Sequence, residues 1–309
     1  MGDIGYVNWP SGICTAVLTQ KKQVIAIMFV PKWLKSLKRR VFRVRVGERV
    51  LTRAYQKLFG VNFDAGDSRT LTHKLFARMI QVNRYGNARF TRLTDKHLVR
   101  QYVAQVVGEK YLVPQLWNGT DPHAIPFDAL PDSYIVKTNH DSGSNIIVNS
   151  APNRNAIVEF LARSLQNNYY WVGREFQYYH IHPRILIDEL LSDGVADGPL
   201  DYRFFCFHGV PEVIQLGNHR HTIAPFYDTS WNKLDLTYLN RRPYDVSKPE
   251  NLTQLLHVAE RLSAEFDFVR VDLFNIRGRV YFGELTFTPF AGHLHFTPES
   301  WDLRLGLKW

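Results

Sequence analysis

The chain has 309 residues, of which 45% are hydrophobic and 14% aromatic, so it can bury a sizeable core and is not a disordered protein. Its two cysteines, Cys14 and Cys206, lie far apart without CxxC spacing, so neither a disulfide framework nor a structural zinc site is indicated, and a reducing compartment fits best. The net charge of +9 favours a polyanionic partner, although no nucleic-acid-binding motif accompanies it.

The first part of the chain, residues 1–70, is basic and only weakly patterned. Its apolar run is broken by TQKKQ and falls short of the roughly 20 residues that span a bilayer, and no cationic segment precedes it as in a secretory signal. We therefore expect a cytoplasmic protein without a membrane-spanning helix. The cations that crowd this segment beside Trp33 are Lys32, Lys35, Lys38, Arg39, Arg40, Arg43, Arg45, Arg49 and Arg53. They suit a membrane surface or an acidic polymer, and equally a solvated helix face, in a region where a helix is expected from Arg49 to Phe59.

Two helices and a hairpin come next. Apolar residues recur at helical spacing from Leu71 to Arg84, and a second helix is expected from Asp95 to Val107, with Thr94 capping its first turn. The stretch SYIVKTNHDSGSNIIV then predicts a strand, a glycine-containing turn and a second strand. Lys137 ends the first strand, where a lysine beside loop amides can hold phosphate charge. The turn matches neither GxxxxGK[ST] nor GxGxxG.

The stretch RILIDELL predicts a short apolar strand that ends in two acids, Asp188 and Glu189. The loop SDGVADGPL follows it and is a candidate hinge because it is rich in glycine and aspartate. Backbone groups at such a strand end can meet an adenine edge, and an acid can reach ribose hydroxyls. An ordinary buried strand with a charged end is the more common explanation of this pattern.

The last third of the chain contains the strongest chemical signal. Two hairpins are expected, one in DYRFFCFHGVPEVIQLG with its turn at His208-Gly209 and one between VRVDLFN and VYFGELTF with its turn at Arg277-Gly278. The second hairpin sets Asp272 and Glu284 on adjacent antiparallel strands. Arg270 and Thr286 share their face because side chains alternate along a strand. Paired carboxylates suit Mg²⁺, which favours hard oxygen ligands completed by substrate phosphates, whereas surface salt bridges are the alternative. Alternating helices and hairpins predict an α+β fold.

Several stretches together resemble the ATP-grasp superfamily, and more closely its TupA-like branch, from about Leu71 to Gly306. The matching stretches are LTDKHLVRQYV, GEKYLVP, YIVKTNHDSGSNIIV, REFQYYHIHPRILIDELL, DYRFFCFHGVPEVIQ, FDFVRVDLFN and YFGELTFTPFAG. The resemblance implies an ATP-grasp fold, with two α+β lobes that clasp ATP between antiparallel sheets. The first lobe would span residues 71–191 and the second 192–309, after a basic N-terminal region of residues 1–70.

The resemblance also implies roles for individual residues. The set expected to bind ATP is Lys96, Lys137, Ser142, Gly143, Ser144, Asp188, Glu189, Leu190, Leu191 and Arg203. Asp272 and Glu284 look like the magnesium carboxylates, and Thr286 stands where many members have an asparagine ligand. Arg270 resembles the arginine that stabilises the transferring phosphoryl group. Arg220, between two histidines, is the candidate for binding the acceptor carboxylate, since a guanidinium can do so in bidentate fashion.

The implied function is an ATP-dependent carboxylate–amine ligase that uses Mg²⁺ or Mn²⁺. TupA-like proteins are associated with cell-surface polymers, which suggests a uronic acid carboxylate of an acidic polysaccharide as acceptor and an amino acid or amino sugar as amine. No nucleic-acid partner is expected. The alternatives are an ATP-grasp kinase without ligation, a ligase that acts on a small peptide, a glycosyltransferase of surface polysaccharide synthesis, and a non-catalytic polyanion binder.

Overall fold

The computed structural model describes most of the chain, in two compact units that divide between Val50 and Leu51. The described residues are 4–8, 14–20, 23–28, 32–64, 66, 69–143, 145–150, 152–194, 198–218, 224–238 and 245–309, and up to residue 40 only the backbone is described. The predicted division between residues 191 and 192 stays a prediction.

The first unit contains a three-stranded antiparallel sheet of β1 (Ile4–Asn8), β2 (Cys14–Gln20) and β3 (Gln23–Met28) in that order. The helix α1 (Lys32–Phe59) begins in this unit and has 28 residues. The helix expected from Arg49 was therefore predicted too short at its start. Valine and arginine alternate in VFRVRV, a pattern that is typical of a strand and hides the helical period.

Three helices open the second unit: α2 (Leu71–Tyr85), α3 (Ala88–Thr94) and α4 (Val99–Val106). The first was predicted, but the single helix expected from Asp95 to Val107 was wrong at its start. Thr94 ends α3 instead of capping the next helix, because the Asp95 carboxylate accepts hydrogen bonds from the backbone N–H groups of His97 and Leu98. Lys96 consequently lies in a turn between two helices.

A four-stranded antiparallel sheet follows in the order β4-β7-β5-β6. Its strands are β4 (Gln115–Gly119), β5 (Ser133–Thr138), β6 (Asn145–Asn149) and β7 (Ile185–Glu189). The helix α5 (Arg154–Ser164), capped by Asn153, packs Ile157 and Leu161 against Val136 and Ile187 of this sheet. The hairpin around Lys137 and the strand in RILIDELL are thereby confirmed. The short helix α6 (Tyr170–Gly173) precedes β7.

A five-stranded antiparallel sheet in the order β10-β9-β8-β12-β13 forms the rest of the unit. The remaining elements are β8 (Asp201–Phe207), β9 (Val210–Gly217), β10 (Phe226–Tyr227), β11 (Thr237–Tyr238), α7 (Leu252–Ser263), β12 (Phe268–Ile276), β13 (Arg279–Thr286), β14 (Phe296–Thr297) and α8 (Ser300–Gly306). The helix α7 contributes Leu255, Val258 and Leu262 to a core shared with Phe204 and Val271 of the sheet.

Both hairpins of this sheet were predicted at the right turns. His208-Gly209 joins β8 to β9 with φ values of 50° and 82°, and Arg277-Gly278 joins β12 to β13 with the same pair of values. Positive φ at both central residues is the turn whose twist matches paired strands. The α+β prediction is confirmed. Among the described residues no helix combines the length and apolar character needed to cross a bilayer.

Candidate active site

The face shared by β12 and β13 carries a dense ionic cluster. Register pairs Asp272 with Glu284 and Arg270 with Thr286, which confirms the predicted pairing of the two acids. Arg270 Nε donates to Asp272 Oδ1 at 2.7 Å and its Nη2 donates to Asp272 Oδ2 at 2.6 Å. The same Nη2 reaches Glu284 Oε1 at 3.0 Å and Thr286 Oγ1 at 3.1 Å. One guanidinium therefore organises all three oxygen-bearing side chains.

Because these side chains are buried close together, the charge of each affects the pKa of the others. Arg270 and Asp272 are each only 6% exposed, and burial of unpaired charges in a sheet would be strongly unfavourable. Burial lowers the pKa of Arg270, but Asp272 and Glu284 outweigh it, so its pKa is raised and the guanidinium stays charged. Burial raises the pKa of Asp272 to about 6, against the effect of Arg270. For Glu284, Arg270 and Lys96 together outweigh burial, and its pKa is lowered.

Arg203 lies beside this cluster on the neighbouring strand β8. Its Nη2 donates to Asp201 Oδ2 at 2.8 Å, and its Nε lies 3.9 Å from Asp272 Oδ2. The guanidinium packs on Gly217 of β9, where a Cβ atom would stand 2.8 Å from Arg203 Cζ. Only glycine leaves room for the guanidinium at this point. The arrangement places a second buried cation at the border of the two carboxylates.

Lys137 and Asp188 meet on the four-stranded sheet. Lys137 Nζ lies 2.7 Å from Asp188 Oδ2, because β5 and β7 pair and set the two side chains on one face. Asp188 is 2% exposed, so its carboxylate is held in place by this lysine and by the nearby amide of Gln115. The ion pair holds the Lys137 ammonium group where it borders the cleft described below.

Lys96 approaches the same region from the turn between α3 and α4. Its Nζ donates to the Asp141 carbonyl oxygen, and its backbone N–H donates to the Asn139 carbonyl oxygen at 3.2 Å. Asn139 in turn donates to Asp95 Oδ1 at 2.9 Å. Burial lowers the pKa of Lys96, and the charges of Glu284 and Asp141 oppose that effect. The turn that interrupts the predicted helix is thus what holds Lys96 in position.

A single cleft joins the two sheets at these residues. Its lining residues are Lys96, Arg100, Leu112, Val113, Lys137, Asp188, Phe282 and Gly283. Gly283 directly precedes Glu284, so the two lysines and the carboxylate strand β13 border one space. Cations and the apolar side chains of Leu112 and Phe282 both border this narrow space.

The other predicted ATP-binding residues are placed less centrally. Ser142 and Gly143 are exposed in the β5–β6 turn, where Gly143 has φ 96°, and Ser144 lies outside the described residues. Glu189 is exposed at the end of β7, and the half-buried Leu190 and Leu191 follow it. Arg220 also lies outside the described residues, so its proposed contact with an acceptor stays a prediction.

A group of polar residues near the site was not predicted. Thr288 donates its hydroxyl to Glu175 Oε1 at 2.5 Å and accepts from Gln177 Nε2 at 2.7 Å. All three are buried, with exposed fractions of 1%, 7% and 3% for Thr288, Glu175 and Gln177. Burial raises the pKa of Glu175 to about 7, although the Thr288 hydroxyl opposes the shift. The group fastens the segment after α6 to the chain just beyond β13.

Two tyrosines extend this group toward the β5–β6 turn. The rings of Tyr169 and Tyr178 pack edge to face at 4.9 Å, and the Tyr169 hydroxyl is hydrogen-bonded to Ser142. Burial and the charge of Glu175 raise the pKa of both phenols. The stretch REFQYY shows no helical or strand period, because Phe176–Tyr178 is a single 3₁₀ turn. The only local signal for this polar group is a glutamate between an arginine and an aromatic residue.

The carboxylate pair fits a magnesium ion in the donor atoms that it offers. Asp272, Glu284 and Thr286 present only oxygen, the ligand type that Mg²⁺ prefers. Among the described residues no group of three or more His, Cys, Asp and Glu side chains is arranged to hold a metal by itself. Magnesium usually takes one or two carboxylates together with water and substrate phosphates, and of these the site supplies the two carboxylates.

Comparison with solved structures identifies ATP-grasp ligases with low similarity. D-alanine–D-alanine ligase from Bacillus anthracis, in complex with ATP, is 15% identical over 74% of this chain and 65% of its own, with a TM-score of 0.40. The macrocyclase MdnC from Microcystis aeruginosa MRC, bound to its precursor peptide MdnA, is 10% identical over 99% and 86%, with a TM-score of 0.38.

A further match is the ATP-grasp ligase of Chryseobacterium gregarium in complex with ADP and a leader and core peptide. It is 10% identical over 99% of this chain and 83% of its own, with a TM-score of 0.38. The chain spans 65% or less of the length of the first structures it matches. Comparison with curated proteins gave no match.

A family model described as TupA-like ATPgrasp matches residues 73–309, which is most of the chain and contains every described residue of the site. The matched region includes both lysines of the cleft, the strand β7 and the carboxylate strands β12 and β13. The resemblance noted in the sequence is confirmed: the chain belongs to the TupA-like ATP-grasp family.

Proposed function

We propose that the chain is an ATP-dependent carboxylate–amine ligase that forms an amide through an acyl phosphate. The observation that supports this most is the cluster in which Arg270 joins Asp272, Glu284 and Thr286, at the edge of a cleft that also contains Lys96 and Lys137. Phosphoryl transfer needs little covalent help from a protein and is promoted mainly by positioning and by cations that meet the phosphate oxygens.

In the proposed reaction, a carboxylate oxygen of the acceptor attacks the γ-phosphorus of ATP, and the bond to ADP breaks. The nitrogen of an amine then attacks the acyl carbon, phosphate leaves, and the amine loses a proton to form the amide. Lys96 and Lys137 hold the phosphates of ATP, and Arg270 stabilises the transferring group. Adenine lies at the hinge of Asp188 to Leu191, and the amides of the β5–β6 turn at Ser142 and Gly143 close over the phosphates.

A magnesium or manganese ion, when bound, would neutralise phosphate charge and orient the phosphate oxygens. Asp272 and Glu284 would hold it, and Thr286 offers a further oxygen. Asp272 is now bonded through both oxygens to Arg270, so we expect the carboxylate to share its charge between the arginine and the ion.

The proposed acceptor is a uronic acid carboxylate of an acidic cell-surface polysaccharide, and the amine is an amino acid or an amino sugar. Support for these substrates comes from the TupA-like family alone. We place the enzyme in the cytoplasm, in peripheral contact with the inner face of the membrane through its basic N-terminal segment. No nucleic-acid partner is proposed.

The test is product analysis with ATP, Mg²⁺, a panel of uronic acids and a panel of amines. We expect ADP release that depends on both substrates, with one amide formed for each ADP. Lys137→Ala should abolish amide formation. The matched control is Lys248→Ala, which removes an exposed lysine outside the cleft and should leave turnover unchanged.

Two other products would indicate a different activity. ADP and a stable phosphorylated acceptor without use of the amine would identify a kinase without ligation. Transfer from a nucleotide sugar, with no ADP formed from ATP, would identify a glycosyltransferase. Full turnover by Lys137→Ala would contradict the assignment of the phosphate site.

A further inference from the structure

The positive charge of the protein is concentrated in its first sixty residues. They contain twelve of the 38 Lys and Arg residues and two of the 29 Asp and Glu residues, namely Asp3 and Glu48. Residues 61–309 therefore contain 26 cations and 27 acids and are close to neutral. The net charge of +9 is thus a property of the N-terminal segment, and the catalytic region does not carry it.

The cations of α1 are arranged around an exposed aromatic residue. Phe42 is 70% exposed, and Arg45 and Arg49 are exposed three and seven residues after it. Lys35, Lys38 and Arg39 precede Phe42 by seven, four and three residues in the same helix. Because an α-helix turns by about 100° per residue, all five cationic positions fall within about 60° of Phe42 around the helix axis.

The face is also free of acidic residues. Glu48, the only acid in α1, follows Phe42 by six residues and so stands about 120° away around the axis. The positions from Lys35 to Arg49 extend along about 21 Å of helix at 1.5 Å per residue. This basic aromatic face, defined by Lys35, Lys38, Arg39, Phe42, Arg45 and Arg49, is long enough to meet several lipid headgroups at once.

We infer that the basic aromatic face lies on an anionic phospholipid surface, with Phe42 inserted at the boundary between headgroups and acyl chains. A row of cations alone would suit any polyanion. An exposed phenylalanine at its centre is unfavourable in water but favourable at that boundary, where an aromatic ring finds apolar contact while its cationic neighbours reach phosphates. Val41, 42% exposed, adds apolar area next to Phe42.

The inference deepens the peripheral contact proposed above and is independent of the amide chemistry. It is tested by sedimenting the full chain, without ATP, with vesicles of phosphatidylcholine alone or mixed with phosphatidylglycerol. We expect binding only to the anionic vesicles and release as the salt concentration rises, because salt screens charges within about 10 Å at 0.1 M. Failure of the ligase assay would leave this result standing, and the reverse also holds.

Two variants separate the charge from the aromatic ring. Phe42→Ser and the double variant Arg45→Glu/Arg49→Glu should each weaken vesicle binding by about tenfold or more. Their matched controls should bind as the wild type does. Tyr85→Ser removes an aromatic residue that is 71% exposed at the end of α2, and Lys248→Glu/Arg261→Glu makes the same change in charge at exposed positions.

An acidic polysaccharide such as polygalacturonate, measured by the same sedimentation, decides between the two polyanions. The lipid inference is overturned if the wild type binds the polysaccharide tightly, does not bind anionic vesicles, and Phe42→Ser binds the polysaccharide equally well. Vesicle binding by Phe42→Ser that equals that of the wild type would also overturn it. Circular dichroism of each variant, expected to match the wild type, verifies that the exposed substitutions leave α1 folded.

Discussion

At the scale of single residues, the site depends on how one buried guanidinium is shared. Arg270 satisfies Asp272 with two hydrogen bonds and still reaches Glu284 and Thr286, which a lysine with its single ammonium could not do. The same arginine thus stabilises the sheet and supplies positive charge at the edge of the cleft. Different substitutions of Arg270 should therefore separate its effect on stability from its effect on turnover.

Arg270→Ala should destabilise the protein by about 3–5 kcal/mol, because it leaves Asp272 buried without its partner. Arg270→Lys should remain folded and bind ATP within about tenfold of the wild type, since the charge is kept. Its turnover should nonetheless fall by at least about a hundredfold, because the bidentate geometry is lost. Urea unfolding and steady-state kinetics measure these effects. Wild-type turnover by Arg270→Lys would remove Arg270 from the mechanism.

Glu175 gives a prediction about pH. Its pKa in the folded protein is raised from 4.5 to about 7 by burial, so the folded state holds this proton more tightly than the unfolded state. The resulting stability is fully present below pH 4.5 and is lost as the pH rises through 7. Glu175→Gln imitates the protonated acid and should lack this loss.

The measurement is urea unfolding of wild type and Glu175→Gln between about pH 5 and pH 8. Over that range the wild type should lose up to about 3 kcal/mol more than the variant, as the shift in pKa requires. Glu175→Ala serves as the comparison that also removes the contact with Thr288. Parallel pH profiles for wild type and Glu175→Gln would show that Glu175 does not titrate with a raised pKa.

At the scale of elements, the turn between α3 and α4 determines the position of Lys96, a residue that we propose to bind ATP. Asp95 accepts from the backbone of His97 and Leu98 and from the side chain of Asn139, which lies in the loop that Lys96 contacts. A helix through Lys96 would have denied the lysine its approach to that loop. The interruption of the helix therefore sets Lys96 beside the cleft.

Asp95→Ala should weaken binding of a non-hydrolysable ATP analogue by about tenfold, because the turn no longer holds Lys96 against residues 139–141. Asn153→Ala is the control, since it removes the cap of α5, whose residues do not line the cleft. That control should lose about 1 kcal/mol of stability and keep its affinity. Equal affinities of wild type and Asp95→Ala for the ATP analogue would show that the turn does not contribute to nucleotide binding.

The sequence predicted those parts of the fold that are determined by residues close together in the chain. The turns at His208-Gly209 and Arg277-Gly278, and the facing of Asp272 and Glu284, follow from turn residues and from the alternation of side chains along a strand. The break at Asp95 is a local cap that was assigned to the wrong residue, Thr94. The bonds from Asn139 to Asp95 and from Thr288 to Glu175, by contrast, join residues 44 and 113 positions apart. No periodic pattern reports such partners, and they were missed.

At the scale of the whole molecule, the chain combines a catalytic region that is close to neutral with a strongly basic N-terminal segment. The family match begins at residue 73, so the match does not include α1 and the three strands before it. The two parts are proposed to serve different tasks, chemistry on ATP in one and contact with a charged surface in the other. Each task has its own assay and its own residues.

The central claim is that Asp272 and its neighbours bind a magnesium–nucleotide complex. Calorimetry with a non-hydrolysable ATP analogue, with and without Mg²⁺, tests it on wild type, Asp272→Asn and Asp267→Asn. The last is a control that disturbs another Asp–Arg pair, with Arg78, just before β12, in which the Asp267 side chain is half exposed. We predict magnesium-dependent binding that is lost in Asp272→Asn and kept in Asp267→Asn. Absence of nucleotide binding by the wild type, or equal binding by Asp272→Asn, would contradict the account.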